Sequence, residues 1–426
     1  MSPSYQEVLE VVEASGIWTN GSRRQHGFVL SPSVLELTAQ QAEDLRALAP
    51  ALYDCMSGIG RMVATSAQPK LVHGKTWGML KRVSQTGVPP AYHEIQLREP
   101  GRVPAVCKVD FMEDPSGRLW IAEIDGHNKH GLGYSTLAAR TRRLSQNGHA
   151  SFPGAAVKVA EAIRAKGTNQ AILLYADQER FYRPEFLILQ DELKGLGIDL
   201  QLMSELDAVC TGDTSHLLDA LSLAPLLDFP FMYKNQALNQ VLCEGYECGR
   251  LDFLFPPKPF LGSKAVMAIL RNDEADPQLE AMLHAFISSE ALQCIRAFIP
   301  PTYLVDKSKR PEYWQALCAD GNFVLKESIS SGMKGTIFSS DARFSAALAK
   351  AVKARGRAVL QREVQNRARR FEYFTDTGAC QSAEWFTRVT VHFAGREVAD
   401  IVVTARQDRS VHGATDCLQL GAVITS

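Results

Sequence analysis

The segment from Ala105 to Asp125 constrains the fold most strongly, because polar and apolar residues alternate along two stretches of it. The stretches are AVCKVDFME and RLWIAEID, and Asp-Pro-Ser-Gly at 114–117 separates them. Alternation is the two-residue period of a β-strand, and Pro and Gly occupy positions that a type I turn favours. The segment predicts an antiparallel β-hairpin whose buried side is formed by Trp120, Ala122 and Ile124.

One face of this hairpin is predicted to be charged. If the two residues that flank the turn pair with each other, Asp110 faces Ile121 and Lys108 faces Glu123. Directly opposed Cβ atoms lie about 4.5 to 5.5 Å apart, so carboxylates on this face could share Mg²⁺, which prefers carboxylate, water and phosphate oxygens. The alternative is an ordinary exposed face with a lysine–glutamate pair. The charged residues on this face are Lys108, Asp110, Glu123 and Asp125.

The segment after the hairpin is unusually rich in residues that bind ligands. GHNKHGLGYST at 126–136 contains two His, an Asn, a Tyr and three Gly. Because a structural loop seldom needs so many of these residues, the loop at 126–135 is a candidate for holding a substrate. For His127 or His130 taken singly, a surface or capping role is the alternative.

A second segment has the features of a phosphate-binding lid. The strand NFVLKES is followed by the loop ISSGMKG and the strand TIFS, and the loop includes Ser331, Gly332 and Gly335. Backbone N–H groups of such a loop can surround an anion, although a Gly/Ser-rich hairpin tip is also common in proteins without ligands. Lys326 lies in an apolar strand and therefore needs an anionic partner or a route to solvent. No P-loop or Rossmann fingerprint is present.

The order of predicted elements indicates an α/β fold with α+β character. Helix, strand, helix and strand alternate over 155–203, and a second α/β unit spans 322–364, followed by closing strands. We expect a helical N-terminus with the hairpin at 1–150, a small α/β subdomain at 151–235, and the nucleotide-binding part at 236–426. Residues 34–66 are predicted to form two helices that are interrupted near Pro50.

Composition argues against several classes of partner. The 46 basic and 47 acidic residues are mixed along the chain and give a net charge of −1, which disfavours nucleic acid and membrane surfaces as partners. The nine cysteines are scattered and lack a C-x-x-C pair, which indicates free thiols in a reducing compartment. The N-terminus does not resemble a signal peptide. A cytoplasmic protein is therefore expected.

Taken together, these segments resemble the ATP-grasp superfamily, and their order resembles its circularly permuted branch, to which glutathionylspermidine synthase belongs. In that branch a basic residue two before an Asp is followed by Glu-x-Asn, and KVD at 108–110 and EID at 123–125 occupy those places. The other matching blocks follow in the order SKAVMAIL, VLKESISSGMKGT and VLQREV.

The resemblance implies ATP and Mg²⁺ as cofactors and small-molecule carboxylate and amine substrates. It implies that the enzyme forms an acyl phosphate and ADP and then an amide. Lys108, Arg388 and Arg406 would contact phosphate or acyl phosphate, with surface arginines as the alternative for the last two. The implied magnesium ligands are Asp110, Glu123 and Asp125. The implied nucleotide contacts are Lys264, Lys326, Ser331, Gly332, Gly335, Gln361 and Glu363.

Two residues depart from the pattern of this branch. Lys108 stands where arginine is typical and cannot form a bidentate fork on phosphate, and Asp125 stands where asparagine is usual. Two alternatives to a ligase remain open at this point. One is a nucleotide-binding homologue without turnover, and the other is a phosphotransferase on the same fold.

Overall fold

The structure, a computed structural model, describes residues 2–18, 23–68, 74–127, 129–145, 149–210, 214–230, 234–307, 309–330, 335–354, 357–413 and 415–425. Its helices are α1 (Tyr5–Ala14), α2 (Ala39–Ser66), α3 (Lys75–Gln85), α4 (Leu132–Ser145), α5 (Ala155–Arg164), α6 (Arg183–Gly195), α7 (Glu205–Val209), α8 (Thr214–Leu221), α9 (Gln236–Glu247), α10 (Ala265–Arg271), α11 (Pro277–Phe286), α12 (Ser289–Phe298), α13 (Pro311–Ala319) and α14 (Phe344–Lys353). Its strands are β1 (Leu35–Thr38), β2 (Cys107–Glu113), β3 (Leu119–Asp125), β4 (Gln170–Tyr175), β5 (Asp199–Ser204), β6 (Leu226–Asp228), β7 (Phe253–Phe255), β8 (Thr302–Val305), β9 (Phe323–Glu327), β10 (Thr336–Phe338), β11 (Ala358–Arg362), β12 (Ala368–Phe374), β13 (Cys380–Ala394), β14 (Glu397–Arg406) and β15 (Leu418–Thr425).

Within the described residues, the strands form three sheets. The large sheet has the order β1-β15-β14-β13-β2-β3, with β12 pairing with β13, so it joins strands from both ends of the chain. The lid sheet is antiparallel with the order β10-β9-β11-β8, and the small sheet is parallel with the order β5-β4-β6-β7. The predicted α/β class is confirmed, whereas the division of the chain at 150 and 235 stays a prediction.

Both α/β units predicted from the sequence are present. α5, β4, α6 and β5 follow one another in the predicted order, and β4 and β5 pair in parallel. β9, β10, α14 and β11 form the second unit and supply three strands of the lid sheet. Apolar residues of α5, α6, β5 and one face of β4 share a core, the other face of β4 packs into a second core, and apolar residues of β9, α14 and β11 share a third.

The segment at 34–66 differs from its prediction. Leu35 and Leu37 are buried on the edge strand β1, and a single helix then continues from Ala39 to Ser66 with Pro50 inside it. Pro50 removes one backbone hydrogen bond, but residues on both sides of it are packed in the core against the large sheet and α12. Burial of this long helix outweighs the local preference for a break.

Two further findings concern the helices and the cysteines. None of the helices within the described residues is both long and apolar enough to cross a membrane. All nine cysteines lie in the described ranges, and each is a free thiol.

Candidate functional site

The predicted β-hairpin is present, but its register differs from the prediction. Glu113 pairs with Leu119 rather than with the residue before it, because Gly117 adopts a left-handed φ of 89° and the turn takes up one more residue. A second irregularity follows Asp110, which pairs with Glu123, and Lys108 pairs with Asp125. The predicted pairs of Asp110 with Ile121 and of Lys108 with Glu123 are wrong.

The charged face of the hairpin nevertheless forms. Lys108 and Asp110 are two residues apart on β2, and their cross-strand partners Asp125 and Glu123 are two apart on β3. Directly opposed residues project from the same side of a sheet. The longer turn and the irregularity after Asp110 together shift the pairing by two residues, so the set of side chains on this face is preserved. Of Trp120, Ala122 and Ile124, which were predicted to form the buried side, Ile124 is fully buried and the others are half-buried.

A cavity of about 910 Å³, including its open mouth, lies between this face and the lid sheet. Its apolar walls come from Met112, Ala122, Val324, Phe338, Val364 and Val411. The residues predicted to form the site that line this cavity are Asp110, Glu123, Lys264, Lys326, Gln361, Glu363 and Arg388.

Two lysines from different elements point into the cavity. Lys264, just before α10, is buried, and its Nζ lies 2.8 Å from Glu123 Oε1 and 3.0 Å from the carbonyl oxygen of Ser330. Lys326, on β9, donates to Gln361 Oε1 at 2.6 Å and to the carbonyl oxygen of Ala122 at 3.0 Å. Both acceptors of Lys326 are uncharged. Burial, together with the neighbouring Lys264 ammonium, lowers the pKa of Lys326 to about 8.

The carboxylates on the hairpin divide into two groups. Asp110 accepts a hydrogen bond from Thr390 Oγ1 at 2.6 Å, and its other oxygen lies 3.6 Å from an Arg388 nitrogen. Asp125 instead lies 2.8 Å from Lys108 Nζ and 3.1 Å from His127 Nδ1. Burial opposes ionisation of Asp125, but these two groups outweigh it and hold the pKa of Asp125 well below its usual range. The cavity therefore receives two of the three predicted carboxylates.

Two carboxylates in the cavity could hold a cation that takes its other ligands from outside the protein. Among the described residues, no group of three or more His, Cys, Asp or Glu side chains is arranged to hold a metal ion. Asp110 and Glu123 are nevertheless directly opposed and both line the cavity. Mg²⁺ is commonly held by one or two carboxylates together with phosphate and water oxygens. The residues present thus fit Mg²⁺ that takes its remaining ligands from phosphate and water oxygens.

The remaining predicted residues lie outside the cavity lining. Lys108 pairs with Asp125, and Arg406 donates to the carbonyl oxygens of Ser410 at 3.3 Å and Asp416 at 3.4 Å, so it braces the β14–β15 loop. Gly335 has a φ of 70°, and its carbonyl oxygen accepts from the backbone of β9. Five residues of the predicted loops lie outside the described residues, namely Asn128, Ser331, Gly332, Met333 and Lys334.

The loop between β14 and β15 supplies cavity residues that sequence analysis missed. The Arg409 guanidinium lies 5.2 Å from the ring centroid of Phe338 and 3.7 Å from Glu363 Oε1, so it reaches across to the lid sheet. Val411 and His412 also line the cavity. This loop is remote in sequence from the hairpin and the lid, and its residues form no motif that could have identified them.

Comparison with protein-family models and with curated proteins gives no match. Among solved structures, the chain is similar to a glutathione synthetase-like effector from Globodera pallida in its apo form, with 13% identity and a TM-score of 0.59. The match covers 100% of this chain and 98% of that chain. The two proteins share a fold.

A protein from Methylobacillus flagellatus KT assigned as a gamma-glutamylcysteine synthetase also matches, with 11% identity and a TM-score of 0.39. The match covers 91% of this chain and 89% of that chain. That likeness is too weak to indicate a common fold.

Proposed function

We propose that this chain is an ATP-dependent carboxylate–amine ligase of the ATP-grasp type. The observation that carries the proposal is the cavity in which two opposed carboxylates of the hairpin face two lysines. One of these lysines precedes α10, and the other lies on the lid sheet. A synthetase-like fold that is shared over the full chain supports it. The order of these elements along the chain, with the hairpin first, then Lys264 and α10, and then the lid sheet, also favours the circularly permuted branch of that superfamily.

Each wall of the cavity suits one part of a magnesium–nucleotide complex. The apolar walls would enclose the base beside Gln361 and Glu363, and Lys264 and Lys326 would bind the phosphates. Asp110 and Glu123 would hold Mg²⁺, which neutralises charge on the phosphates when it is bound. The lysines and carboxylates come from elements far apart in sequence, so they become neighbours only when the chain is folded.

The reaction proposed for this site has two steps. A substrate carboxylate attacks the γ-phosphorus of ATP, which releases ADP and leaves an acyl phosphate, and an amine then displaces phosphate and forms an amide. The chain contributes by positioning the reactants and by balancing charge, as phosphoryl transfer requires. Arg388 adjoins Asp110 and is placed to bind an anionic group. The lid sheet would exclude water, which hydrolyses acyl phosphates.

The two departures from the family pattern form one feature. Lys108 and Asp125 are cross-strand partners, and their side chains form a salt bridge of 2.8 Å. Burial would lower the pKa of Lys108, but Asp125 and Asp110 outweigh it and raise the pKa above its usual range. We interpret Lys108 as the partner of Asp125 rather than as a direct phosphate contact, and we propose that Asp110 and Glu123 alone hold the metal.

Release of ADP in the presence of Mg²⁺ and pairs of small carboxylates and amines tests the proposal. A ligase gives ADP and phosphate in equal amounts, together with an amide that mass spectrometry detects. A stable phosphate ester would instead identify a phosphotransferase. Nucleotide binding without ADP release for any pair would favour a homologue without turnover.

Nucleotide affinity is expected to decline above pH 8, because the lowered pKa of Lys326 leaves a neutral amine there. Phosphate binds the ammonium form, so the contribution of Lys326 is complete well below pH 8 and is lost as the pH rises through it. Between pH 7 and pH 9 the expected loss is about tenfold. Calorimetric titration with an ATP analogue and Mg²⁺ measures it. In K326R the side chain stays charged, so an equal decline in that variant would contradict the assignment.

A further inference from the structure

A lysine in the loop after β3 is completely buried against two acidic side chains. Lys129 is 1% exposed, and its Nζ lies 3.0 Å from Glu179 Oε1 and 3.0 Å from Asp228 Oδ2. An ammonium is buried at a high cost in solvation unless carboxylates surround it. The contact therefore ties the loop tightly to the layer that contains the small sheet.

The two carboxylates lie at a particular place in the small sheet. Glu179 follows the carboxyl end of β4, and Asp228 ends the neighbouring parallel strand β6. From β4 the chain passes to β5 on one side, and β6 lies on the other side. The crevice at such a reversal of strand order is where open parallel sheets usually bind ligands. Here the chain's own ammonium fills that position.

Neighbouring residues of the same loop are held by the same layer. His130 Nε2 lies 2.9 Å from Glu179 Oε1, and its ring packs against Tyr182 with centroids 3.9 Å apart. The backbone N–H of Gly131 donates to Glu185 Oε2 at 2.9 Å. At Gly133, where α4 meets the start of α6, a Cβ would lie 2.0 Å from the carbonyl oxygen of Glu185. Residues 129–133 are thus anchored to the small layer.

The other end of the loop adjoins the cavity. Asp125 ends β3, two residues after the cavity carboxylate Glu123, and pairs with Lys108. The Lys108 Nζ also lies 3.5 Å from the carbonyl oxygen of His130. The residues that anchor the loop to the small layer therefore lie only a few positions along the chain from the Lys108–Asp125 pair beside the cavity.

We propose that Lys129 is a positioning residue that fixes the loop to the small layer and thereby holds the Lys108–Asp125 pair beside the cavity. The small layer then contributes to the arrangement of the substrates and not to nucleotide binding, since residues 129–133 do not line the cavity. This inference rests on the proposed ligase function. It assigns a role to the small layer, in which the Lys129 ammonium fills the crevice where the strand order reverses.

The double variant K129M/D228N tests the proposal, because it removes one charge of each sign and nearly preserves volume. Replacement of a buried ion pair by neutral residues of similar size usually leaves a protein folded, and Glu179 keeps its contact with His130. Amide hydrogen exchange at 129–133 is expected to rise at least tenfold. The dissociation constant of an ATP analogue with Mg²⁺ is expected to stay within about threefold of wild type, whereas ADP formation falls at least tenfold.

The control R296M/E280Q removes a partly buried ion pair between α11 and α12, which include no residue of the loop, and should leave all three measurements unchanged. If the double variant does not fold, D228N alone keeps the Lys129–Glu179 contact and should show the same pattern with a smaller amplitude. Unchanged exchange at 129–133, or a loss of nucleotide affinity equal to the loss of turnover, overturns the proposal. If the wild type forms no ADP with any pair, the ligase function fails, while exchange and nucleotide binding still decide the role of Lys129.

Discussion

Replacement of Glu123 by glutamine is expected to reduce ADP formation by roughly a thousandfold or more, the scale of losing a principal charge-stabilising group in phosphoryl transfer. Glu123 lies opposite Asp110 and supplies one of the two carboxylates in the cavity. Glutamine keeps an oxygen that can accept from Lys264 Nζ, which lies 2.8 Å from Glu123 Oε1. The fold should therefore remain intact while affinity for the metal is lost.

The measurement is steady-state ADP release in E123Q, with circular dichroism and thermal unfolding to verify the fold. The matched control is E327Q. Glu327 lies on β9 next to Lys326, is exposed and does not line the main cavity. The control should retain turnover close to that of wild type. Turnover by E123Q at the wild-type level would remove the assignment of this carboxylate to the metal.

Replacement of Lys326 by methionine is expected to weaken nucleotide binding by about 10- to 100-fold, the usual range for a buried hydrogen bond to a charged group. The same variant should melt at an equal or higher temperature. Lys326 is half-buried, both of its acceptors are uncharged, and its pKa is lowered to about 8. Because burial and the neighbouring Lys264 ammonium disfavour the charged form, we expect an apolar side chain of similar shape to stabilise the free protein at least as well as this lysine.

Titration with an ATP analogue and a thermal melt of the free protein measure the two effects of K326M. The control K353M changes an exposed lysine at the end of α14 and should alter neither. A variant that binds nucleotide normally, or one that melts at a clearly lower temperature, would show that Lys326 serves the lid sheet rather than the phosphates.

The hairpin illustrates how far the sequence alone could predict the site. Alternation is local, so the two strands and the grouping of Lys108, Asp110, Glu123 and Asp125 on one face could be predicted. The register could not, because it depends on the left-handed conformation of Gly117 and on a second irregularity after Asp110. These depend on the geometry of the turn and of neighbouring strands.

Other differences arise from contacts between distant segments. The helix through Pro50 stays continuous because tertiary packing outweighs a local preference. Arg409 and His412 reach the cavity from a loop with no recognisable motif, and Arg406 braces that loop. The partner of Asp125 could not be inferred while Lys108 was paired with Glu123. A shift in register therefore changed the interpretation of two site residues.

The most direct test of the account is a crystal structure with a non-hydrolysable ATP analogue and Mn²⁺, which replaces Mg²⁺ and is located by its anomalous scattering. We predict a manganese ion about 2.0 to 2.3 Å from carboxylate oxygens of Asp110 and Glu123, with the triphosphate against Lys264 and Lys326. An analogue bound elsewhere, or a metal ion remote from both carboxylates, would contradict the proposed function.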